Sequence, residues 1–193
     1  MEIRMSGDFS HKVLFDFTAE DSGETQWHSI DDRVMGGCSQ SDFSIHESGI
    51  ALFQGTVTDK NGGGFASVRS EEQDFSLDDF AGVALHARGD GHRYQLSLTT
   101  AETGPSLYYT AGFTPSPIQW ESIYLPFRRF QPKIRGRVLG NSFINSAGVV
   151  TLGFMISGGQ MGPFCLQVDH IWAFTEKELH EDIPHDRLDE HYF

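Results

Sequence analysis

The residues best able to do chemistry stand in residues 27–41, WHSIDDRVMGGCSQS. Asp31 and Asp32 form a carboxylate pair, and carboxylates that face each other across a cleft can hydrolyse glycosidic bonds. Neighbouring residues of a strand point to opposite faces, so these two can meet only where the chain turns. The alternative is structural: one aspartate accepts backbone N–H bonds in a turn while the other faces solvent. The sequence favours this second interpretation.

The other catalytic patterns are each incomplete. The Glu-x-Asp-x-x-Glu pattern of sandwich glycosidases begins at Glu72 but has Leu77 in its last place. The stretch GGCSQS around Cys38 lacks the closing glycine of a nucleophile elbow, and no base for the thiol is evident. The stretch RGDGHRY has Tyr94 where a dinucleotide fingerprint needs its third glycine, and it joins two predicted strands. We therefore predict a protein that is not an enzyme.

Metal and cofactor patterns are also missing. The nine histidines form neither an HExxH motif nor zinc-finger spacing. NGGGFASVR is not followed by the Gly-Lys-Ser/Thr of a phosphate-binding loop. We predict no cofactor and no metal ligand, with a calcium ion at Asp31, Asp32 or Asp90 as the alternative, because carboxylate and carbonyl oxygens are the ligands calcium prefers.

The charge balance restricts the partners. Fourteen Lys and Arg stand against 27 Asp and Glu, which gives a formal net charge of −13. A nucleic-acid ligand is not expected, because such binding needs a surplus of cations to displace counterions from phosphates. No apolar run approaches the roughly 20 residues of a membrane helix, so no membrane insertion is expected. The first residues resemble neither a secretory signal nor a transit peptide, which predicts a cytoplasmic location.

Most of the chain alternates with a period of two, which indicates short strands separated by glycine- and proline-rich turns. The predicted fold class is all-β: an antiparallel β-sandwich of jelly-roll type, formed by a single domain over residues 1–175. The acidic residues 176–193 are expected to form a solvated tail, with a short helix before Pro184 as one alternative. Residues 128–148 lack alternation and are predicted to be a long ordered loop. The predicted strands cover residues 12–17, 51–57, 65–70, 82–88, 93–100, 107–113, 120–127, 151–157 and 162–174.

The same alternation predicts a binding face. If the predicted strands pair as neighbours, their outward positions share one polar face of the sheet. Two arginines on that face are more than solubility requires, which favours a binding platform over a merely solvated face. The residues expected there are Arg69, His86, Arg88, Gln95 and Tyr108.

Several stretches together resemble one known family. These are WHSIDDRVMGGCSQS, FQGTV, NGGGFASVR, RGDGHRY and WESIYLPF followed by RGR, in this order from residue 27 onward. They resemble the NADH:ubiquinone oxidoreductase complex I intermediate-associated protein family. Cys38 departs from the pattern, which more often has arginine after VMGG.

The resemblance implies a galactose-binding-domain-like β-sandwich and a non-enzymatic role as an assembly factor. The implied partner is a protein, namely a respiratory-complex subunit or assembly intermediate, and the chain resembles a compact bacterial member. Asp32 and Met35 of the signature then join the predicted binding residues, with Asp32 fixing a turn. The alternative is a sandwich that binds a carbohydrate or another small ligand, with Trp27, Tyr108 and Trp120 stacking on sugar rings.

Overall fold

Two antiparallel β-sheets pack face to face in the computed structural model, which describes residues 11–19, 26–103, 106–140 and 142–182. Short 3₁₀ turns and one α-helix complete the described elements. The strands are β1 His11–Asp16, β2 Trp27–Ser29, β3 Gln40–His46, β4 Ile50–Val57, β5 Ala66–Ser70, β6 Gly82–Arg88, β7 Tyr94–Thr100, β8 Leu107–Phe113, β9 Glu121–Pro126, β10 Gln131–Ile134, β11 Arg137–Val138, β12 Val149–Ile156 and β13 Gly162–Phe174, followed by the helix α1 Glu176–Asp182.

The two sheets divide the strands in a way that does not follow chain order. The six-stranded sheet runs β3-β4-β13-β6-β9, and β1 also pairs with β13. The seven-stranded sheet runs β11-β10-β8-β7-β12-β5-β2. Because β12 lies between β5 and β7, and β6 belongs to the opposite sheet, three strands that are consecutive in the sequence are not neighbours in space.

Alternate residues of each sheet meet in one apolar core. Leu96, Leu98 and Phe154 of the seven-stranded sheet pack there with Phe53 and Leu85 of the six-stranded sheet, and all are buried. Each fully buried side chain of this size contributes about 1.5–3 kcal/mol to the free energy of unfolding. This core fixes which strand positions face outward, and these positions carry the candidate binding residues.

The antiparallel β-sandwich predicted from the alternation is confirmed, and the bounds of β6, β8 and β13 are those predicted. The strands β2 and β3 and the hairpin β10–β11 were not predicted. The hairpin lies within residues 128–148, where the prediction of a long loop is wrong. Pro132 interrupts the alternation of β10, yet it is accommodated because this strand pairs only over four residues with β8 and two with β11.

The predicted solvated tail starts with a packed helix. Leu179 of α1 is buried with Ala84, Tyr124 and Phe174 on the outer side of the six-stranded sheet. The indole nitrogen of Trp172 donates a hydrogen bond to Glu178 at 3.0 Å. The helix α1 therefore packs on the sheet through Glu178 and Leu179, while the prediction for residues 183–193 lies outside the described part. No helix among the described residues is long and apolar enough to cross a membrane.

Candidate functional site

The Asp32 carboxylate joins two loops. Its side chain is fully buried, at 0% exposure, and accepts hydrogen bonds from the amide of Ser39 at 2.9 Å and that of Gly64 at 2.7 Å. The hydroxyl of Ser39 donates a third bond, at 2.5 Å. Burial alone would raise the pKa of Asp32, but these hydrogen bonds outweigh it and hold the pKa below its usual range. These hydrogen bonds are the structural basis for the predicted role of Asp32 in fixing a turn.

Two glycines of the signature leave room for that carboxylate. A Cβ atom added to Gly37 would lie 2.3 Å from an Asp32 oxygen, and one added to Gly63 would lie 2.4 Å from the other. Real side chains do not approach so closely, so both positions require glycine while Asp32 stays in place. The MGG and NGGG stretches are thus two sides of one buried contact.

Asp31 bonds to a different set of groups. It accepts from the amide and the hydroxyl of Ser41 at 2.8 and 2.6 Å, and from the amide of Ser67 at 3.1 Å. These bonds link β3 to β5. Asp90 similarly accepts from the Tyr94 hydroxyl at 2.9 Å and the Cys165 amide at 2.7 Å. All three aspartates face N–H and O–H donors, which do not fit the oxygen ligands of a calcium site.

The loop that Asp32 holds presents two apolar side chains to solvent. The 3₁₀ turn Asp32–Met35 leaves Val34 73% exposed and Met35 63% exposed. Met161, also exposed, lies beside Gly64 of the neighbouring loop. We refer to Val34 and Met35 as the apolar tip. Met35, expected from the resemblance to be a binding residue, is therefore accessible to a partner, as is Val34 beside it in the DDRVMGG stretch.

The predicted five-residue face is divided between the two sheets. Arg69, Gln95 and Tyr108 lie on the outer face of the seven-stranded sheet. His86 and Arg88 lie on the outer face of the six-stranded sheet, because β6 pairs with β13 and β9. The expectation of one shared face is wrong, since it assumed that β5, β6 and β7 are spatial neighbours.

A groove of about 630 Å³ lies on the outer face of the seven-stranded sheet. Three cations line it, namely Arg93, Arg129 and Lys133, and none of the residues that line it is acidic. The Lys133 ammonium donates to Gln95 at 2.7 Å, and Arg129 donates to the Gly112 carbonyl at 3.1 Å. Burial, aided by the positive charge of Arg93, lowers the pKa of Lys133. On a chain of net charge −13, this groove is a local positive site.

Arg69 and Tyr108 lie on the same sheet face as the groove. Burial lowers the pKa of Arg69, against the opposing effects of Tyr108 and Glu72. The Arg69 guanidinium makes no hydrogen bond to the part of the chain that the structure describes. The Tyr108 hydroxyl accepts a hydrogen bond from the Gly136 amide at 3.1 Å. Arg69 thus adds an unbonded, partly buried cation to this face.

His86 and Arg88 share one aromatic neighbour on the opposite sheet. The His86 ring stacks on Trp120 at 5.3 Å, and the Arg88 guanidinium lies 5.7 Å from the same indole. Arg88 also donates two hydrogen bonds to Gln167, at 3.0 and 2.8 Å. The three aromatics expected to stack on one ligand are separated as well, because Trp27 packs against Phe43 at 4.4 Å. These residues form a second polar surface, not a continuation of the groove.

Residues 15–168 match the family described as Complex I intermediate-associated protein 30. The chain belongs to this family. An uncharacterized protein of Schizosaccharomyces pombe is 29% identical over 79% of this chain and 80% of its own length. The mitochondrial Complex I intermediate-associated protein 30 of Mus musculus is 23% identical over 91% of this chain, which spans 60% of the mouse protein.

Both of these similar proteins come from eukaryotes, and the mouse protein is mitochondrial. The cytoplasmic location and the bacterial origin expected from the sequence therefore stay predictions. Family membership confirms the resemblance identified from the sequence.

Solved structures with a similar fold include carbohydrate-binding modules. The family 11 module of a Clostridium thermocellum cellulosomal cellulase has a TM-score of 0.62 at 16% identity, covering 86% of this chain and 94% of that one. A family 29 module has a TM-score of 0.53 at 7% identity, covering 86% and 91%. At these identities the likeness supports the fold alone, a galactose-binding-like β-sandwich.

The three groove cations were not predicted as one group, because Arg93 lies far from Arg129 and Lys133 in the sequence. Five of the chain's 14 Lys and Arg fall within residues 128–137, but spaced singly except for Arg128 and Arg129. This local enrichment was the available signal. Once β10 pairs with β8, it places Lys133 beside Gln95 of β7. Arg93 lies outside this enriched stretch, and only the folded structure brings it to the same groove as Arg129 and Lys133.

Proposed function

We propose that this protein is a non-enzymatic protein-binding module that acts in the assembly of respiratory complex I. Its relatives include proteins named for association with complex I intermediates. The partner in this proposal is a complex I subunit or assembly intermediate, and the contact is the apolar tip of Val34 and Met35.

The observation that carries the proposal is the exposure of this tip on a loop held in place by a buried carboxylate. Val34 and Met35 are more than half exposed, whereas Asp32 beside them is fully buried. Covering each of these side chains with a partner would contribute about 1.5–3 kcal/mol. A loop already held in one conformation loses less entropy on binding than a mobile one, which favours the complex. Methionine also adapts its shape to an apolar partner surface.

The test replaces the tip and leaves its support unchanged. The variant Val34→Ser/Met35→Ser is compared with Ile118→Ser, which changes an 86% exposed apolar residue elsewhere on the surface. In the native host, we expect the double variant to lose at least tenfold of its co-migration with complex I intermediates on native gels. The control should co-migrate like the wild type. Unchanged co-migration of the double variant would contradict the proposal.

A second candidate function rests on the groove: the binding of a sugar bearing carboxylate or sulfate groups. Arg93, Arg129 and Lys133 supply positive charge for the anionic groups. The amides of Gln95 and Gln131, with the hydroxyls of Thr110 and Ser157, can hydrogen-bond to sugar hydroxyls. Tyr108 is the one predicted stacking aromatic on this face. The absence of acidic residues from the lining favours an anionic over a neutral ligand.

A glycan array separates these ligand classes. We expect uronate- or sulfate-bearing oligosaccharides to bind and neutral glucans not to bind. Lys133→Met, which keeps most of the side-chain volume, should weaken binding at least tenfold, whereas Lys60→Met on an exposed turn should not. Binding of neutral glucans alone, or of no glycan, would contradict this second function and leave the role of the apolar tip unaffected.

A further inference from the structure

A β-bulge places two consecutive polar residues on the outer face of the six-stranded sheet. The pairing of β13 with β6 shifts register between Val168 and His170. Val168 and Ile171 both point into the core, so Asp169 and His170 between them lie on the outer side. Regular alternation would have turned one of these two residues inward. Such bulges often re-aim side chains at functional sites.

The bulge brings Asp169 and His170 to His86 of the neighbouring strand. Asp169 Oδ1 lies 2.8 Å from His86 Nδ1 and 2.8 Å from His170 Nδ1. One nitrogen or oxygen atom from each of the three residues lies within 4.8 Å of the others. Ligand atoms around a tetrahedral zinc ion are separated by roughly 3.3 Å, given bonds of about 2.0–2.1 Å. The three groups are therefore close to the spacing of a metal site.

Asp16 of β1 fixes the orientation of one of these ligands. Its carboxylate lies 3.2 Å from His170 Nε2 and is itself held by the amide and hydroxyl of Thr18, at 2.9 and 2.6 Å. When Nε2 carries the proton that Asp16 accepts, the Nδ1 lone pair of a neutral imidazole faces Asp169 Oδ1. Either a proton on Nδ1 or a metal ion beside both atoms can bridge His170 Nδ1 and Asp169 Oδ1 at 2.8 Å.

We propose that His86, Asp169 and His170 bind a divalent transition-metal ion, with zinc as the best match, and that Asp16 is a positioning residue for His170. Two imidazoles and one carboxylate suit zinc, copper or nickel, whereas calcium and magnesium prefer oxygen ligands throughout. A carboxylate that accepts the second N–H of a ligating histidine is a recurring feature of zinc sites.

The surroundings of the three ligands are compatible with an ion. All three side chains are partly exposed, at 36% for His86, 19% for Asp169 and 38% for His170, so ion and water can reach them. The nearby cation Arg88 is engaged by Gln167 and lies against Trp120. A bound ion would link β6 to β13 directly and, through Asp16, reach β1.

The test is a titration of the tag-free chain with zinc chloride by isothermal calorimetry at neutral pH. We expect one ion per chain at the site, with at least 100-fold weaker binding in Asp169→Asn and in His170→Ala. Asp16→Asn should weaken binding by roughly 10–100-fold, as is usual for residues that orient a metal ligand. His46→Ala, in an exposed strand position, should bind like the wild type.

Two further measurements test whether zinc binds at this site and not elsewhere on the chain. A variant with His180, His185 and His191 replaced by alanine should retain the site, which separates it from zinc bound by tail histidines. Cobalt substituted for zinc should give the visible absorption of a tetrahedral nitrogen–oxygen site, and this absorption should be lost in His170→Ala. If the wild type does not bind zinc at micromolar concentrations, or if His170→Ala binds equally well, the proposal is wrong and a doubly protonated His170 accounts for the contacts.

Discussion

The Asp32 carboxylate accepts a hydrogen bond from the Gly64 amide at 2.7 Å, across 32 residues of sequence. This contact connects the two stretches that are most distinctive in the sequence, DDRVMGG and NGGGF. Asp31 and Asp32 resemble a catalytic pair in the sequence. In the structure they accept hydrogen bonds from different backbone groups and so support the loops around them. Beside them lies the apolar tip, which this support holds in solvent.

Replacing the buried carboxylate should destabilise the fold. Asp32→Asn removes the charge and turns an amide donor toward groups that are themselves donors, so we expect a loss of about 3 kcal/mol in the free energy of unfolding. Urea denaturation measures this loss. The matched control Asp42→Asn, at an exposed position of β3, should change it by less than about 0.5 kcal/mol. Equal stability of the two variants would show that the Asp32 bonds contribute little.

Lowering the pH should also remove the contribution of the Asp32 carboxylate to the free energy of unfolding. The hydrogen bonds to Asp32 hold its folded-state pKa below the ordinary value for an aspartate, so its stabilising effect is complete above the unfolded-state pKa. The effect is lost as the pH falls through the folded-state pKa. We therefore expect the stability difference between wild type and Asp32→Asn to be constant from pH 7 to about 5 and to shrink below about pH 4. A difference that grows on acidification would contradict this sign.

A methyl group at either signature glycine should displace the carboxylate. Gly37→Ala and Gly63→Ala each place a Cβ within 2.4 Å of an Asp32 oxygen, and we expect each to cost about 1–3 kcal/mol in thermal or urea unfolding. Gly148→Ala is the control, because its Cβ would meet its nearest neighbour at 3.6 Å. If Gly37→Ala and Gly148→Ala unfold alike, the loop adapts more readily than the close approach implies.

The helix α1 should contribute to stability despite its acidic sequence. Leu179→Ser places a hydroxyl against Ala84, Tyr124 and Phe174, and we expect a loss of about 2–4 kcal/mol. Lys177→Ser, at an exposed position of the same helix, should cost less than about 1 kcal/mol, as is usual for exposed contacts. Urea unfolding of both variants provides the measurement. A neutral effect of Leu179→Ser would indicate that residues 176–182 behave as the solvated tail predicted from the sequence.

The sequence predicted what depends on local pattern. Tyr94, Leu96 and Leu98 alternate with polar residues, so β7 and its core face follow from periodicity alone. The sequence did not predict that the expected binding residues are divided between the two sheets, because the insertion of β12 between β5 and β7 is a long-range pairing. The bulge at Asp169 and His170 was also hidden, since the two residues look like any consecutive pair until their core neighbours are known.

The sequence also does not predict which groups the buried polar side chains contact. The DD pair and the glycine run were recognised as parts of one family pattern, yet the reason that both occur is the packing of Gly37 and Gly63 on the Asp32 carboxylate. The clustering of the groove cations likewise depends on contacts that form only in the folded chain. Lys133 joins Gln95 only because β10, with a proline in its middle, pairs with β8.

Site-specific photo-crosslinking from the apolar tip tests the central claim most directly. A photoreactive amino acid is placed at Met35 and, as control, at Ile118, since both positions are well exposed. In the native host we predict a crosslink from position 35 to a complex I subunit or assembly intermediate, and none from position 118. The absence of a crosslink at position 35, or the same crosslink from both positions, would contradict the account.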